Sequence, residues 1–399
     1  MELTKGDVNY LKNAFYVSKV NWNSITLPSI VVIWLNVGMS LSQILFLQGL
    51  FVLLLIILEF PSGVMADRFT RKSMVIFAFI FMTFGVFSYG RAGNFIEFFI
   101  AESFFAVGFA TLSGTDSALV WDGFKSINQE DKAKSVLAKG NTILMGSAVI
   151  LLLIGGILMT YSLIFPFYVS ILGNLNQIFL YSKIKEPPRQ KMGKTSHIYR
   201  DSLTLLKKSS MWIIIFISAI NSLVLRVVFW AYLPKLKLLQ VDEIWFGVVL
   251  SGANLIAMLM SIYYHKNTNP SNRITGFIMI LCTIGVLLFA LEVSLILMLV
   301  AIAFHQIGRA TVRYLSVVKM NEAVDSDIRA SAISLMNTFS SIFYIIFNLI
   351  SEWYKLSLQQ IMKLTAINMI ILSMFIIAIN YRDQLKVYFK IKKESIISI

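Results

Sequence analysis

The 399-residue chain has little of what soluble enzymes and secreted domains depend on. Its single cysteine, Cys282, lies inside an apolar run, which excludes a disulfide within the chain and a CxxC-type metal site. Only 14% of the residues are charged, whereas a soluble domain carries about 25%. The three histidines, His197, His265 and His305, are far apart, and no acid lies at catalytic spacing from them, which argues against an enzyme. No phosphate-binding glycine loop is present, so we expect no transport driven by ATP bound to this chain. We also expect no cofactor and no metal.

Hydrophobic sequence is what the chain has in abundance. Hydrophobic residues make up 57% of it, the mean hydropathy is +0.75, and the polar amino terminus lacks the early apolar core of a signal peptide. We predict an all-α membrane protein with twelve transmembrane helices. The segments long enough to span the bilayer are 13–36, 42–65, 73–92, 95–121, 136–159, 163–184, 209–234, 244–264, 273–291, 294–319, 328–350 and 358–381.

The distribution of cations predicts how the chain is oriented. An even number of spans places both termini on one side, and that side holds 26 of the 35 Lys and Arg residues. The opposite loops hold five of them, so both termini should be cytoplasmic and the protein should lie in the cytoplasmic membrane. The +14 net charge then belongs to loops at a membrane surface and does not indicate nucleic acid. The polar stretch Lys183–Lys208 contains Pro187, Pro188 and eight cations. We therefore predict two six-helix halves, 1–184 and 209–399, joined by a cytoplasmic linker over 185–208.

A short charged segment, Glu59–Lys72, separates the second and third spans and reads E-F-P-S-G-V-M-A-D-R-F-T-R-K. Two membrane-length helices with so short a link form an antiparallel hairpin, and Glu59, Gly63 and Asp67 share one helix face. The segment resembles the signature loop of the major facilitator superfamily, G-x-x-A-D-R-x-G-R-K, with Thr70 where the family prefers glycine. The matching residues are Gly63, Ala66, Asp67, Arg68, Arg71 and Lys72. A basic cytoplasmic loop alone would explain the three cations but not the acids and the glycine in phase.

The resemblance implies a secondary transporter with two six-helix halves around a central cavity that the first, fourth, seventh and tenth helices line. It also implies charged contacts that close the cytoplasmic side. We expect Asp116 to pair with Arg71, whereas Asp122 is either a partner or a solvated loop acid. The inner end of the fourth span, S-G-T-D-S-A-L-V-W-D, resembles a drug-exporter-like subset of bacterial facilitators. The fifth span lacks the proline of the exporter pattern G-P-x-x-G-G, which leaves the transport direction open. The gating candidates are Gly63, Asp67, Arg68, Arg71, Lys72, Asp116 and Asp122.

Several charges lie inside predicted spans, where an unpaired charge is costly. Glu102 in the fourth span must face a cavity, form a pair or bind a proton. We predict that it couples transport to protons, with Arg226 as its partner in one conformation and Glu59 as the reserve candidate; a permanent structural salt bridge is the alternative. Lys19 lies near an inner helix end and is expected to snorkel to the headgroups.

The tenth span carries a stripe of three basic residues spaced by four, so they share one helix face. Arg313 suits an inner-end anchor, whereas His305 suits either a packing or a cavity role. Aromatic and polar groups recur in the spans expected to line the cavity and indicate an amphipathic organic ligand. The cavity candidates are Asn21, Trp22, Glu102, Arg226, Trp230, His305, Gln306 and Arg309.

We therefore predict a monomeric carrier in the lipid bilayer that exports a small amphipathic molecule, with a proton as the coupling partner and no nucleic acid. Two alternatives stay open. One is a carrier of an organic anion or metabolite, and the other is a non-transporting receptor or scaffold on the same fold.

Overall fold

The computed structural model describes residues 3–188, 209–267, 272–291, 294–324 and 329–374. Within these ranges every regular element is helical, as the composition predicted. The helices up to residue 188 are α1 (Lys5–Ser18), α2 (Leu27–Asn36), α3 (Leu41–Arg68), α4 (Arg71–Tyr89), α5 (Phe95–Leu112), α6 (Thr115–Lys125), α7 (Glu130–Met159) and α8 (Phe165–Ser182). The later helices are α9 (Ser209–Leu238), α10 (Ile244–Lys266), α11 (Asn272–Ala290), α12 (Leu295–Ala323), α13 (Arg329–Trp353) and α14 (Leu358–Met374).

These helices form twelve membrane spans. In the described residues eight helical segments are long and apolar enough to cross a membrane, with α5 and α6 counted together. The shorter apolar helices α11 and α14, together with α8 and the pair α1 and α2, complete the twelve. The predicted twelve-helix fold is confirmed, whereas the orientation of the termini stays a prediction.

The first span, which hydropathy predicts as one segment, is broken. A 3-10 turn over Trp22–Thr26 separates α1 from α2. Pro28 lies in the first turn of α2, where its missing N–H costs no helical hydrogen bond. The side-chain oxygen of Asn23 accepts hydrogen bonds from Ser170 at 2.9 Å and Asn174 at 3.1 Å. The turn is therefore held in place by polar side chains of α8.

The fourth span is also broken, between α5 and α6. Gly114 adopts φ +74°, a left-handed conformation that glycine tolerates because it has no Cβ. The break starts a new helix, and Asp116 lies in its first turn, where a carboxylate is favourable beside the positive helix N-terminus. Both breaks thus set new helix termini inside segments that the hydropathy pattern treats as continuous.

The chain divides into two compact units. Unit 1 contains Met1–Tyr199, Leu233–Met258 and Ile345–Lys355, and unit 2 contains Arg200–Tyr232, Leu259–Tyr344 and Leu356–Ile399. Unit 1 therefore includes the junction of α9 with α10 and the end of α13 in addition to the first 199 residues. The predicted halves and linker stay a prediction, since most of 185–208 lies outside the described residues.

Two glycines of α7 allow close contacts within unit 1. A Cβ on Gly155 would lie 2.1 Å from the backbone oxygen of Ile25. A Cβ on Gly156 would lie 2.6 Å from the Cα of Gly247, so α10 packs directly on α7 at this point. Gly146 has open space around it. Close packing therefore explains the first two glycines but not the third.

Unit 2 is built by the packing of α11 on α12 and of α9 on α12 and α13. A Cβ on Gly308 would lie 2.1 Å from the sulfur of Cys282, so the single cysteine fills the space that this glycine leaves. A buried apolar cluster joins α9, the end of α12 and α13, and it consists of Ile215, Met320, Val324, Ala332 and Met336. This cluster fixes the three helices that line the cavity of unit 2.

Candidate functional site

The signature segment spans the end of α3 and the start of α4. Thr70 is the N-cap of α4, with φ −69° and ψ 146°, and its hydroxyl accepts a hydrogen bond from the Ser73 N–H at 3.2 Å. An extended N-cap suits threonine, so the family's glycine is not needed here. Arg68 is exposed. Gly63 and Asp67 lie in α3, but their surroundings are outside what the structure describes, so their gating role stays a prediction.

Arg71 at the start of α4 contacts a different acid from the one expected. Its guanidinium contacts the carboxylate of Asp122 and donates to the backbone oxygen of Ala118 at 2.6 Å. The expected partner, Asp116, lies six residues earlier on another face of α6 and pairs with Lys19 instead. Asp122 is therefore a partner of Arg71 rather than a solvated loop acid.

The N-terminus of α4 is also capped by an acid from the segment after α8, and this contact was not predicted from the sequence. The carboxylate of Glu186 accepts hydrogen bonds from the backbone N–H of Arg71 at 2.8 Å and of Lys72 at 3.0 Å. Lys72 in turn donates to the backbone oxygen of Ser182 at 2.7 Å. A carboxylate at a helix N-terminus satisfies otherwise unpaired N–H groups and complements the helix dipole. No local pattern indicates this contact, since 115 residues separate Glu186 from Arg71.

A second contact ties the same segment to the amino terminus. Lys185 forms an ion pair with Asp7 at 2.9 Å, and Thr4 caps α1 through reciprocal hydrogen bonds with Asp7. The hydrogen bond from Lys185, followed by those from Thr4, lowers the pKa of Asp7 to about 2. Residues 183–188 thus connect α1, α4 and α8 at the predicted cytoplasmic end of unit 1.

The two helix breaks of unit 1 meet in a buried ion pair. The ammonium of Lys19 lies 2.5 Å from the carboxylate of Asp116, and their side chains are 15% and 6% exposed. Lys19 is the C-cap of α1 and Asp116 lies in the first turn of α6, so each charge complements the dipole of its own helix. The expectation that Lys19 snorkels to the headgroups is therefore wrong.

Glu102 lies in α5, 8% exposed. Its Oε1 accepts hydrogen bonds from the Gln48 amide at 2.7 Å and from the Tyr89 hydroxyl at 2.5 Å. No residue in the described ranges forms an ion pair with Glu102, so a permanent salt bridge does not account for it there. The two donors come from α3 and α4, and hydropathy gave no indication of either. The reserve candidate, Glu59, is exposed on the surface of α3.

A cavity of about 640 Å³ lies within unit 2 between α9, α12 and α13. Three arginines line it: Arg226 from α9, and Arg309 and Arg313 from α12. The guanidinium of Arg309 lies 5.2 Å from the centre of the Phe229 ring, and that of Arg226 lies 5.2 Å from the centre of the Tyr344 ring. The rest of the lining includes hydroxyl and amide groups and an indole, from Ser218, Asn221, Ser222, Trp230, Ser316, Asn337 and Ser340.

The charge of this cavity is not neutralised within the described residues. The three arginines lie close enough for their charges to repel one another. None of them forms an ion pair with any residue that the structure describes, and the buried Nη1 of Arg226 has no hydrogen-bond partner there. The sequence explains why, because residues 209–241, 244–291 and 294–321 contain no aspartate or glutamate. The cavity therefore presents a concentrated positive charge beside aromatic surface.

Four other cavity candidates lie elsewhere. His305 and Gln306 are fully buried, and the ring Nδ1 of His305 contacts the hydroxyl of Tyr232. Trp22 packs where Gly173 leaves room on α8, and the backbone N–H of Asn21 donates to the Ser147 hydroxyl at 3.2 Å. The described contacts of His305 are thus those of a packing histidine. A substrate role for these four residues stays a prediction.

Comparisons with known proteins identify the family. The sequence model of the Major Facilitator Superfamily matches residues 20–348, which is more than half of the chain. No curated protein sequence matches the chain. Solved structures with the same fold include the nucleoside transporter NupG, with a TM-score of 0.76, 12% identity and coverage of 93% of this chain and 98% of that one.

Two further structures illustrate the range of relatives on this fold. A bacterial homolog of the human lysosomal transporter Spinster has a TM-score of 0.71 and 17% identity and covers 94% of this chain and 97% of its own. A D-xylose-proton symporter has a TM-score of 0.67 and 13% identity, with 92% and 95% coverage. Likenesses at such low identity establish the fold alone.

Proposed function

The chain belongs to the Major Facilitator Superfamily, and we propose that it is a secondary active transporter that moves a small organic molecule across the cytoplasmic membrane by alternating access. The observation that carries the substrate class is the cavity of unit 2. Its volume of about 640 Å³ lies in the range typical of small-molecule sites, and aromatic surface in it lies beside a few polar groups. These features suit an amphipathic ligand.

We propose further that Glu102 couples transport to protons. The carboxyl is nearly inaccessible and has two hydrogen-bond donors but no cation among the described residues. Both donors contact Oε1, so Oε2 is the oxygen on which a proton would sit. A carboxyl group at this depth must exchange its proton or acquire a cation when its surroundings change, which is what coupling requires. Pairing with Arg226 in one conformation stays a prediction.

The test of coupling is Glu102→Gln in proteoliposomes. The amide keeps the shape and the contacts with Gln48 and Tyr89, so the variant should insert and should still exchange substrate. Flux driven by a pH gradient should be lost, and a panel of labelled organic solutes with and without the gradient would measure both. Glu97→Gln is the matched control, because Glu97 lies in the exposed first turn of the same helix, where its carboxylate accepts a hydrogen bond from the Gly93 N–H. If Glu102→Gln transports as well as the parent chain under the gradient, Glu102 is structural.

We also propose that the start of α4 belongs to the cytoplasmic gate. Arg71 and Lys72 are held by Asp122, Glu186 and Ser182, which makes this helix end a rigid part of unit 1. Asp67 would then close the gate from α3, and Asp67→Asn should shift the protein toward the inward-facing state without preventing insertion. Accessibility of cysteines placed on either side of the membrane would measure the shift. Unchanged accessibility and unchanged transport would count against a gating role.

We propose that the protein exports its substrate and that it is a monomer. A comparison of substrate flux into inside-out vesicles with flux into right-side-out vesicles would test the direction of transport. An organic-anion carrier is the second candidate, and the three arginines of the unit 2 cavity favour it. A non-transporting receptor would bind its ligand in this cavity without any flux in either vesicle type.

A further inference from the structure

The arginines of the unit 2 cavity have no acidic partner among the described residues, and the proposed gating contacts do not involve them. Arg226 and Arg309 are half-buried, and each guanidinium lies against an aromatic ring that is itself uncharged. A guanidinium cannot lose its proton, so it must find a carboxylate, water or a ligand. The helices that form the cavity contain two acidic residues, Glu322 near the end of α12 and Glu352 near the end of α13, and Glu352 pairs with Lys355.

The arrangement differs from a structural ion pair in a way that indicates a ligand. Lys19 and Arg71 in unit 1 each contact an acid at a helix terminus. In unit 2, by contrast, the arginines converge on an open volume and lie close enough to repel one another. Repulsion of this kind destabilises the empty protein and is relieved when an anion binds, so the site is selective for negative charge by its construction.

The cavity also has groups that would recognise the rest of such a ligand. Guanidinium groups bind carboxylate, sulfonate and phosphate groups through paired N–H donors. Phe229 and Trp230 offer aromatic surface. The neutral amides of Asn221 and Asn337 offer both hydrogen-bond donors and hydrogen-bond acceptors. The side-chain oxygen of Asn221 is buried and has no partner among the described residues.

We propose that the unit 2 cavity is a binding site for a soluble organic anion, whose acidic group lies between Arg226 and Arg309 and whose apolar part lies against Phe229 and Trp230. The proposal rests on the proposed transport function, for which it names the substrate class. It makes the cavity an anion site whatever the direction of transport, and it favours the organic-anion carrier over an exporter of neutral or cationic compounds.

The first test measures the electrostatic potential of the cavity and needs no knowledge of the substrate. Asn337 is exposed in the cavity wall, and the single native cysteine is buried, so an Asn337→Cys, Cys282→Ser chain carries one reactive thiol. The full chain would be placed in phosphatidylcholine nanodiscs and labelled with the anionic sulfonatoethyl and the cationic trimethylammonioethyl methanethiosulfonate. Thr160→Cys in the same Cys282→Ser chain provides an exposed reference thiol in unit 1.

The anionic reagent should be favoured at Asn337→Cys over the reference thiol by about tenfold, because several uncompensated charges lie nearby. Adding Arg226→Gln or Arg309→Gln should each reduce that preference several-fold, whereas Arg309→Lys should retain it because the charge stays. Equal preferences at the two thiols, or a preference unaffected by both glutamine substitutions, would overturn the proposal. None of these outcomes depends on transport. A proton-coupled carrier of neutral compounds would lose pH-gradient-driven flux in Glu102→Gln, but its cavity would show no preference for the anionic reagent.

The second test uses naphthalene-2-sulfonate and the uncharged 2-naphthalenemethanol as probes of binding. The sulfonate should slow labelling of Asn337→Cys, the alcohol at equal concentration should not, and Arg309→Lys should weaken protection because a lysine lacks the paired donors. Equal protection by both probes, or none by the sulfonate, would overturn the proposal. Nanodiscs containing phosphatidylglycerol separate the two sources of an anionic group: if that lipid alone blocks labelling and the sulfonate adds nothing, the site binds lipid headgroups and the soluble ligand is excluded.

Discussion

The two units treat their buried charges in opposite ways. In unit 1 the half-buried or buried cations Lys19 and Arg71 each meet a carboxylate, and the four charges lie where helices begin or end. In unit 2 Arg226 and Arg309 meet aromatic rings and an open cavity, and no described residue there supplies a carboxylate to them. Paired charges fix geometry, whereas unpaired charges of one sign store repulsion that a ligand can relieve. The paired charges of unit 1 hold helix termini together, whereas the arginines of unit 2 line a cavity.

The largest effect that would test this difference is expected at the buried pair of unit 1. Asp116→Asn leaves the ammonium of Lys19 buried without a counter-charge, and breaking a buried pair in this way costs about 3–5 kcal/mol. Thermal unfolding in nanodiscs, followed by tryptophan fluorescence, should show a large drop in midpoint. The double variant Lys19→Met, Asp116→Leu should recover most of it, because an apolar pair of similar size replaces the ion pair. No loss in the single variant would mean that the pair is open to solvent.

A smaller loss is expected at the contact between α4 and α6. Asp122→Asn keeps one acceptor oxygen for Arg71 but removes the charge, and a hydrogen bond to a charged group is worth about 1.5–3 kcal/mol. The same unfolding measurement applies, with Asp131→Asn as the control. Asp131 pairs with Lys134 on the surface of α7 at 98% exposure and should not change the midpoint. If the two substitutions lowered the unfolding midpoint equally, the ion pair of Arg71 with Asp122 would contribute no more to stability than a solvent-exposed pair.

Unit 2 should respond with the opposite sign. Arg309→Gln removes a charge that repels Arg226 and Arg313 and sacrifices one contact with the Phe229 ring, which is worth about 0.5–1 kcal/mol. Without added organic anion, the unfolding midpoint should stay the same or rise. Arg71→Gln in unit 1 is the matched control and should lower it. A drop for Arg309→Gln as large as that for Asp116→Asn would show that the arginine is structural and that the comparison fails.

The smallest effect concerns the exposed pair of Asp7 and Lys185. The hydrogen bond from Lys185 lowers the pKa of Asp7 to about 2, so the contact is fully formed above the ordinary pKa of an aspartate and is lost as pH falls through about 2. Asp7→Asn should therefore lower the midpoint slightly at neutral pH, and the midpoints of the two chains should converge as the pH falls toward about 2. Midpoints of both chains between pH 5 and 3 would be compared, pH values at which an ordinary aspartate titrates. If the difference in midpoint between the two chains grew as the pH rose above neutral, Asp7 would not be the group responsible.

The sequence alone determined the class of the protein and most of its fold. Apolar segment length fixed the number of spans, since a helix must be about 20 residues long to satisfy its backbone in hydrocarbon. The resemblance of Glu59–Lys72 to the signature loop indicated the family, because signature residues in phase at the expected helix end are specific. The sequence also located Glu102, Arg226 and Arg309 as charges that the membrane would penalise, and their rarity made them conspicuous.

The tertiary structure decided which charges meet. Hydropathy averages over a window, so it could not resolve the breaks at Trp22–Thr26 and Gly114, which depend on one residue's backbone angle and on polar side chains from α8. It could not pair Lys19 with Asp116 or bring Glu186 to Arg71, because a contact between residues about a hundred positions apart depends on helix packing and not on local spacing. The cavity of unit 2 likewise exists only because α9, α12 and α13 bring three arginines to one volume, a property of packing that no stretch of sequence contains.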